Sequence, residues 1–171
     1  SGSTNTLTMT QHGNANQAQY NIQGGHTAYT NSVTGNNNQT RLNIGDQNNT
    51  NNLRNSVTET ITGNSNTSIQ NLVGSDITSG LTITGSGNQV TQSLLSSRGS
   101  SSIAITGGYN VLFAQQTDAA GANGHSLTVA TNGDYNSITT QQQGTNDTTV
   151  NINTSGSHNT VTVRTSSGTI V

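Results

Sequence analysis

The sequence predicts an all-β fold, specifically a β-solenoid of about seven two-strand rungs with parallel, in-register stacking between rungs. Three observations carry that expectation. First, Gly-x-x-Asn occurs seven times, at Gly13 and Asn16, Gly35 and Asn38, Gly63 and Asn66, Gly85 and Asn88, Gly107 and Asn110, Gly133 and Asn136, and Gly156 and Asn159. The glycines recur at intervals of 22, 28, 22, 22, 26 and 23 residues, and a period of roughly 20–50 residues marks a stacked architecture. Second, apolar residues alternate with polar ones on both sides of each pair, as strand side chains do. Third, the chain has no Pro, 6% charged residues and a polar fraction built from Asn, Gln, Ser and Thr, which in-register β-stacking tolerates and which a charge-rich disordered chain lacks.

Each unit reads as strand, Gly-x-x-Asn turn, strand. The inward positions lie two, four and six residues before each glycine and after each asparagine. In the first unit they are Leu7, Met9 and Gln11, then Ala18, Tyr20 and Ile22; in the last they are Val150, Ile152 and Thr154, then Val161, Val163 and Thr165. Across seven units, 27 of these 42 positions are apolar, against 5 of the 42 between them, so one face of each strand is a core face. Glycine takes positive φ without strain and Asn tolerates the left-handed region, which suits a tight reversal. No segment shows apolar residues at helical spacing, and helix is excluded as a major element.

The repeat domain spans 7–165, with units near 7–26, 27–50, 55–76, 77–98, 99–120, 125–147 and 148–165 between tails at 1–6 and 166–171. Length differences belong at the second corner, with insertions near 45–56 and 117–126 that bulge outward as loops and leave the register untouched. The seven asparagines should form an amide ladder. Inward glutamines (Gln11, Gln70, Gln92, Gln116, Gln142) occupy three different positions and should align in part. Glu59 is a misfit on an inward position, which implies either a shifted strand or a wet corner.

Composition excludes several functions. A net charge of −2 with four scattered arginines gives no basic patch, hence no nucleic-acid partner. Apolar runs are far too short for a membrane-spanning helix. Without cysteine there is no disulfide or thiolate site. The histidines His12, His26, His125 and His158 sit beside glycines in expected turns, the acids are scattered singly, and no catalytic, metal-binding or phosphate-binding motif occurs, so the chain reads as a non-enzyme with no metal and no cofactor. Ser1 is not preceded by a basic and apolar leader; either a signal peptide has been removed or the chain was never exported.

With the units aligned, the pattern resembles the curlin repeat of bacterial curli fibres, an alternating strand with Gln, then Gly-x-x-Asn-x-small, then a distal Gln. The first unit is similar through Leu7, Met9, Gln11, Gly13, Asn16 and Ala18, with Ile22 at the distal glutamine position; units five and six keep that glutamine as Gln116 and Gln142 but carry Ile105 and Thr131 before the glycine. The resemblance implies a secreted subunit, its signal peptide removed, that polymerises into extracellular or cell-surface amyloid fibres for biofilm matrix and adhesion. It implies as partners the subunit itself, a nucleator subunit and secretion or chaperone proteins.

Physics points to the same partner. A solenoid with open ends presents unpaired strand backbone, and the first and last units match in pattern, so the last rung of one copy should accept the first rung of the next. A head-to-tail contact that does not close generates a filament. Two alternatives stand beside the fibre. An ice-binding β-solenoid is suggested by recurrent Thr-x-Thr, as at Thr8/Thr10, Thr58/Thr60/Thr62, Thr82/Thr84 and Thr160/Thr162, although outward Gln17, Gln39, Arg41, Gln89 and Asn151 break the lattice such a face needs. A glycan-binding β-helix adhesin would show longer three-strand rungs and clustered carboxylates, which the sequence lacks.

Overall fold

The computed structural model describes residues 4–45, 54–95, 98–117, 125–143 and 148–165. It is all-β, with fourteen strands: β1 Thr6–His12, β2 Gln17–Ile22, β3 Ala28–Thr34, β4 Gln39–Ile44, β5 Ser56–Thr62, β6 Thr67–Val73, β7 Thr78–Thr84, β8 Gln89–Leu95, β9 Gly99–Thr106, β10 Val111–Thr117, β11 His125–Asn132, β12 Ser137–Gln143, β13 Thr148–Ser155 and β14 Thr160–Thr165. Odd-numbered strands form one seven-stranded sheet, here sheet A, and even-numbered strands form another, sheet B. Every pairing is parallel and in register. Two strands, one per sheet, make each rung of the β-solenoid, as the sequence predicts.

The alternation sets the core. In β5 the pattern runs exposed, buried, exposed through Val57, Glu59 and Ile61, and the same period recurs in β3, β7 and β9. The inner faces meet as two apolar clusters, one running from Val33 and Ile61 through Ile83, Ile105 and Val129 to Ile152, the other from Tyr29 through Leu42, Val57 and Leu72 to Leu94. Both faces of such a thin interior must be filled by side chains from facing strands, so the period of two is enforced on all rungs.

Several sequence expectations need correction. Residues 5 and 6 are not tail: β1 begins at Thr6, and Asn5 closes a corner. Ser56, Thr117, His125 and Ser126 belong to strands, so the two insertions are shorter than expected; their centres, 46–53 and 118–124, lie outside the described residues. His12 and His125 are strand residues rather than turn residues.

Glu59 needs neither a shifted strand nor a wet corner. Its strand keeps register with both neighbours, Asn31 on one side and Leu81 on the other, and its side chain is buried. Oε2 accepts hydrogen bonds from the Tyr29 hydroxyl at 2.7 Å and from Asn31 Nδ2 at 2.8 Å. Two polar neighbours on the adjacent rung thus partner Oε2, while Oε1 has no hydrogen-bond partner among the described residues. Burial first, and then the negative charge of Glu59, push the Tyr29 hydroxyl well above the ordinary tyrosine range; burial also raises Tyr20, whose ring lies 5.1 Å from that of Tyr29.

Candidate functional site: the ladder arcs and the open end rungs

Each Gly-x-x-Asn segment is an arc joining the two sheets. Its glycine adopts φ between 101° and 133°, and the conformation is only half of the reason for glycine. A Cβ on Gly35 would stand 1.8 Å from the carbonyl oxygen of Gly63, and one on Gly85 would stand 1.8 Å from that of Gly107. Successive arcs stack so closely that no side chain fits.

The asparagine is not the second left-handed residue. That place belongs to the residue before it: Ala15, Asn37, Ser65, Gly87, Tyr109, Tyr135 and His158 all have φ between 55° and 71°. The asparagine instead turns its amide inward and builds the expected ladder. Asn66 donates from Nδ2 to Asn38 Oδ1 at 3.1 Å and to the Gly85 carbonyl at 2.8 Å, while its own Oδ1 accepts from the backbone and side-chain nitrogens of Asn88 at 3.0 and 3.1 Å. Asn38, Asn88 and Asn110 repeat this arrangement, and Asn38, Asn66, Asn88, Asn110 and Asn136 are fully buried. A second ladder runs the other way through the second arc residue, where Asn14 N–H donates to Asn36 Oδ1 and Asn36 N–H to Asn64 Oδ1, each at 2.8 Å.

The opposite corner is the same device, which the sequence reading missed. Gly24 and Gly74 have positive φ, as do His26 and Asp76 two residues on. Asn5 and Asn55 hold the asparagine place, donating to the carbonyls of Gly24 and Gly74 at 2.9 and 3.1 Å and accepting from the N–H of Thr27 and Ile77. The signal was present: Gly24 and Gly74 stand eleven residues after Gly13 and Gly63, and Asn5 and Asn55 eleven before Asn16 and Asn66. The 22-residue unit is thus two 11-residue half-units, with the second set of Gly and Asn incompletely kept.

The glutamines align in part, as expected. Gln70 and Gln92 are register partners, both approached by the Ser79 hydroxyl, and Gln116 Nε2 donates to Gln142 Oε1; Gln11 stands apart on β1. Outside the arc stack, Tyr109 and Tyr135 are exposed and parallel, ring centroids 5.1 Å apart, and His158 continues the stack at 5.3 Å. The sequence reading placed His158 in a turn and missed the stack, because the third arc position is visible as a column only after the arcs are superimposed.

The end rungs bring together the residues expected to carry stacking. At one end Leu7 and Met9 are 49% and 51% exposed, with Gln11, Ala18, Tyr20 and Ile22 half-buried. At the other, Val150, Ile152 and Thr154 are buried on β13, whereas Val161, Val163 and Thr165 on β14 are half-buried. The ladders are left open in complementary ways. Asn159 donates from N–H to Asn136 Oδ1 and from Nδ2 to the Ser155 carbonyl, and its Oδ1 accepts nothing among the described residues. Asn16 donates from Nδ2 to the Gly35 carbonyl and accepts from Asn38, while its backbone N–H has no acceptor there. In the reverse ladder, among the described residues, Asn14 Oδ1 has no donor and Ser157 N–H no acceptor.

Among the described residues no group of three or more His, Cys, Asp or Glu could hold a metal ion, and no helix is long and apolar enough to cross a membrane. Compared with known proteins, the chain matches no family model, no curated protein and no solved structure.

Proposed function

We propose that the chain is a structural subunit that stacks head to tail into an amyloid-like fibre, rung 7 of one copy receiving rung 1 of the next. The observation that carries this reading is the complementarity of the two end rungs. Continuing the arc register across the junction pairs Gly156 with Gly13 of the next copy, β13 with β1 and β14 with β2. Asn159 Oδ1 then meets Asn16 N–H, as Asn16 Oδ1 meets Asn38 N–H at 3.0 Å within the chain, and Ser157 N–H meets Asn14 Oδ1, as Asn36 N–H meets Asn64 Oδ1. Leu7 and Met9 fall in register with Val150 and Ile152, and Ala18 and Tyr20 with the half-buried Val161 and Val163, so the junction covers the exposed Leu7 and Met9. Apolar burial and a row of strand hydrogen bonds favour the contact together.

The resemblance to the curlin repeat supports an extracellular fibre of biofilm matrix and adhesion, exported before assembly and grown from a nucleator. A depression of about 350 Å³ lies on the outer face of sheet B around Arg41.

A cysteine pair tests the junction. The chain contains no cysteine, and the proposed register sets Thr160 beside Gln17 of the next copy on the outer face of sheet B. Neighbouring parallel strands lie ~4.8 Å apart, within disulfide range. Oxidised fibres of the Gln17→Cys, Thr160→Cys variant should give a ladder of covalent multimers. Fibres that form but give only monomer under those conditions would rule out this junction, and a chain that forms no fibres would remove the function itself.

A further inference from the structure

The two outer faces of the solenoid differ in chemistry. Sheet B carries Gln17, Gln39, Arg41, Gln89 and Phe113 on its outer face. The residues that seemed to break a threonine lattice therefore sit almost entirely on sheet B; of them, only Asn151 lies on sheet A. The outer face of sheet A is mostly Thr and Ser. Thr8, Thr30 and Thr58 form one column, and Thr10, Ser32, Thr60 and Thr82 the next. Thr34, Thr62, Thr84 and Thr106 form a third.

Three features of this face point to one ligand. Its register is unbroken through all six pairings of the sheet, so within these columns the hydroxyl groups repeat at ~4.8 Å along the stack and ~6.7 Å along each strand. His12 and Gly80 interrupt the array within the first four rungs, and Ala104, Ala130, Asn132, Asn151 and Asn153 end it beyond them. Both spacings are close to oxygen repeats on faces of hexagonal ice. No Asp, Glu, Lys or Arg projects from it: the described charges lie on sheet B, at the corners or, for Glu59, in the core. None of its threonine hydroxyls hydrogen-bonds to another of the described residues, and Thr8, Thr10, Thr30, Thr58 and Thr82 are exposed. A dry contact with a second protein face would bury those hydroxyls without partners, at a cost; an ordered water lattice gives each one a partner.

We infer that the outer face of sheet A binds ice through its threonine array. This goes beyond the fibre reading and does not depend on it, because an isolated subunit and a subunit in a fibre present the same face. The test is partition into slowly growing ice, using the full chain both freshly purified and as fibre. Wild-type protein should be enriched several-fold in the ice over a non-binding globular protein. Thr60→Lys with Thr82→Lys should reduce it to the level of that control, while Thr91→Lys with Thr139→Lys on sheet B should leave it unchanged; circular dichroism confirms that both remain β. Gly80→Thr fills the gap in the column of Thr58, where an added Cβ meets nothing within 4 Å, and should raise the enrichment. Exclusion of wild-type protein from ice would overturn the inference. So would equal losses in the two lysine variants, a loss with Gly80→Thr, or fibres that separate laterally in the sheet A variant with no change in ice partition, which would assign the face to a second copy.

Discussion

Two glycines on neighbouring segments separate conformational need from accident. Gly85 has φ of 133° and its Cβ position collides with the next arc, whereas Gly80 lies in a strand with open space around it. Gly85→Ala should cost on the order of 4 kcal/mol or more, the range reserved for strain and overpacking, and Gly80→Thr should stabilise by up to ~1 kcal/mol through β-propensity and reduced backbone freedom. Urea midpoints of the two variants moving in opposite directions would confirm this; similar shifts would contradict it. Asn66→Ala removes two donors and an acceptor at a buried position, leaving the Gly85 carbonyl and the Asn88 N–H short of partners. Its expected cost is about 3 kcal/mol, again read from the urea midpoint. Tyr29 supplies a pH dependence. Its folded pKa is raised, so its contribution is complete below the unfolded value of ~10 and falls as pH rises through that value toward the folded one. Stability should therefore fall as pH rises above ~10, and Tyr29→Phe should flatten that fall; an equal fall in the variant would contradict the assignment.

At the scale of the rung, the sequence revealed the strands, their inward faces and one of two corners. Alternation is strong enough to show a core face wherever Val, Ile and Leu recur, as at Val57/Ile61 and Leu81/Ile83. Glu59 broke the pattern because a one-dimensional reading cannot see that Tyr29 and Asn31 belong to the adjacent rung. The second corner was hidden because Thr27 and Ile77 stand where the first corner always has Asn, although backbone geometry needs only the glycine and the left-handed third residue. The faces could not be assigned by pooling outward residues, since odd and even strands belong to different sheets. Identical rungs make the unit removable: deleting residues 63–84 joins Thr62 to Gly85, register partners of Thr84 and Gly63 in the present stack, and should leave a folded chain with a modestly lower urea midpoint. Deleting residues 63–83 instead leaves one residue too many, turns a strand's core face outward or forces a bulge, and should give a protease-sensitive chain by limited proteolysis. Equal resistance of the two deletions would contradict a register-locked stack.

For the whole molecule, the stack has a direction: the backbone N–H groups of the arc asparagines donate toward the first rung and those of the second arc residues toward the last, and each end rung holds the groups the other lacks. That polarity favours an open filament over a closed dimer, because only unlike ends continue the register that sets Asn159 Oδ1 against Asn16 N–H and Ser157 N–H against Asn14 Oδ1. Removing residues 148–165 exposes the rung of β11 and β12, whose Asn136 Oδ1 would then be the open acceptor, so seeded growth should persist but slow; unchanged growth would deny the last rung any special part. The central claim is tested most directly by a cryo-electron microscopy reconstruction of the assembled fibre. The account predicts strands perpendicular to the fibre axis at ~4.8 Å spacing, a subunit repeat of seven rungs, and rung 1 seated on rung 7 with Asn16 above Asn159. A fibre built from side-by-side contacts, or a junction joining like ends, would contradict it.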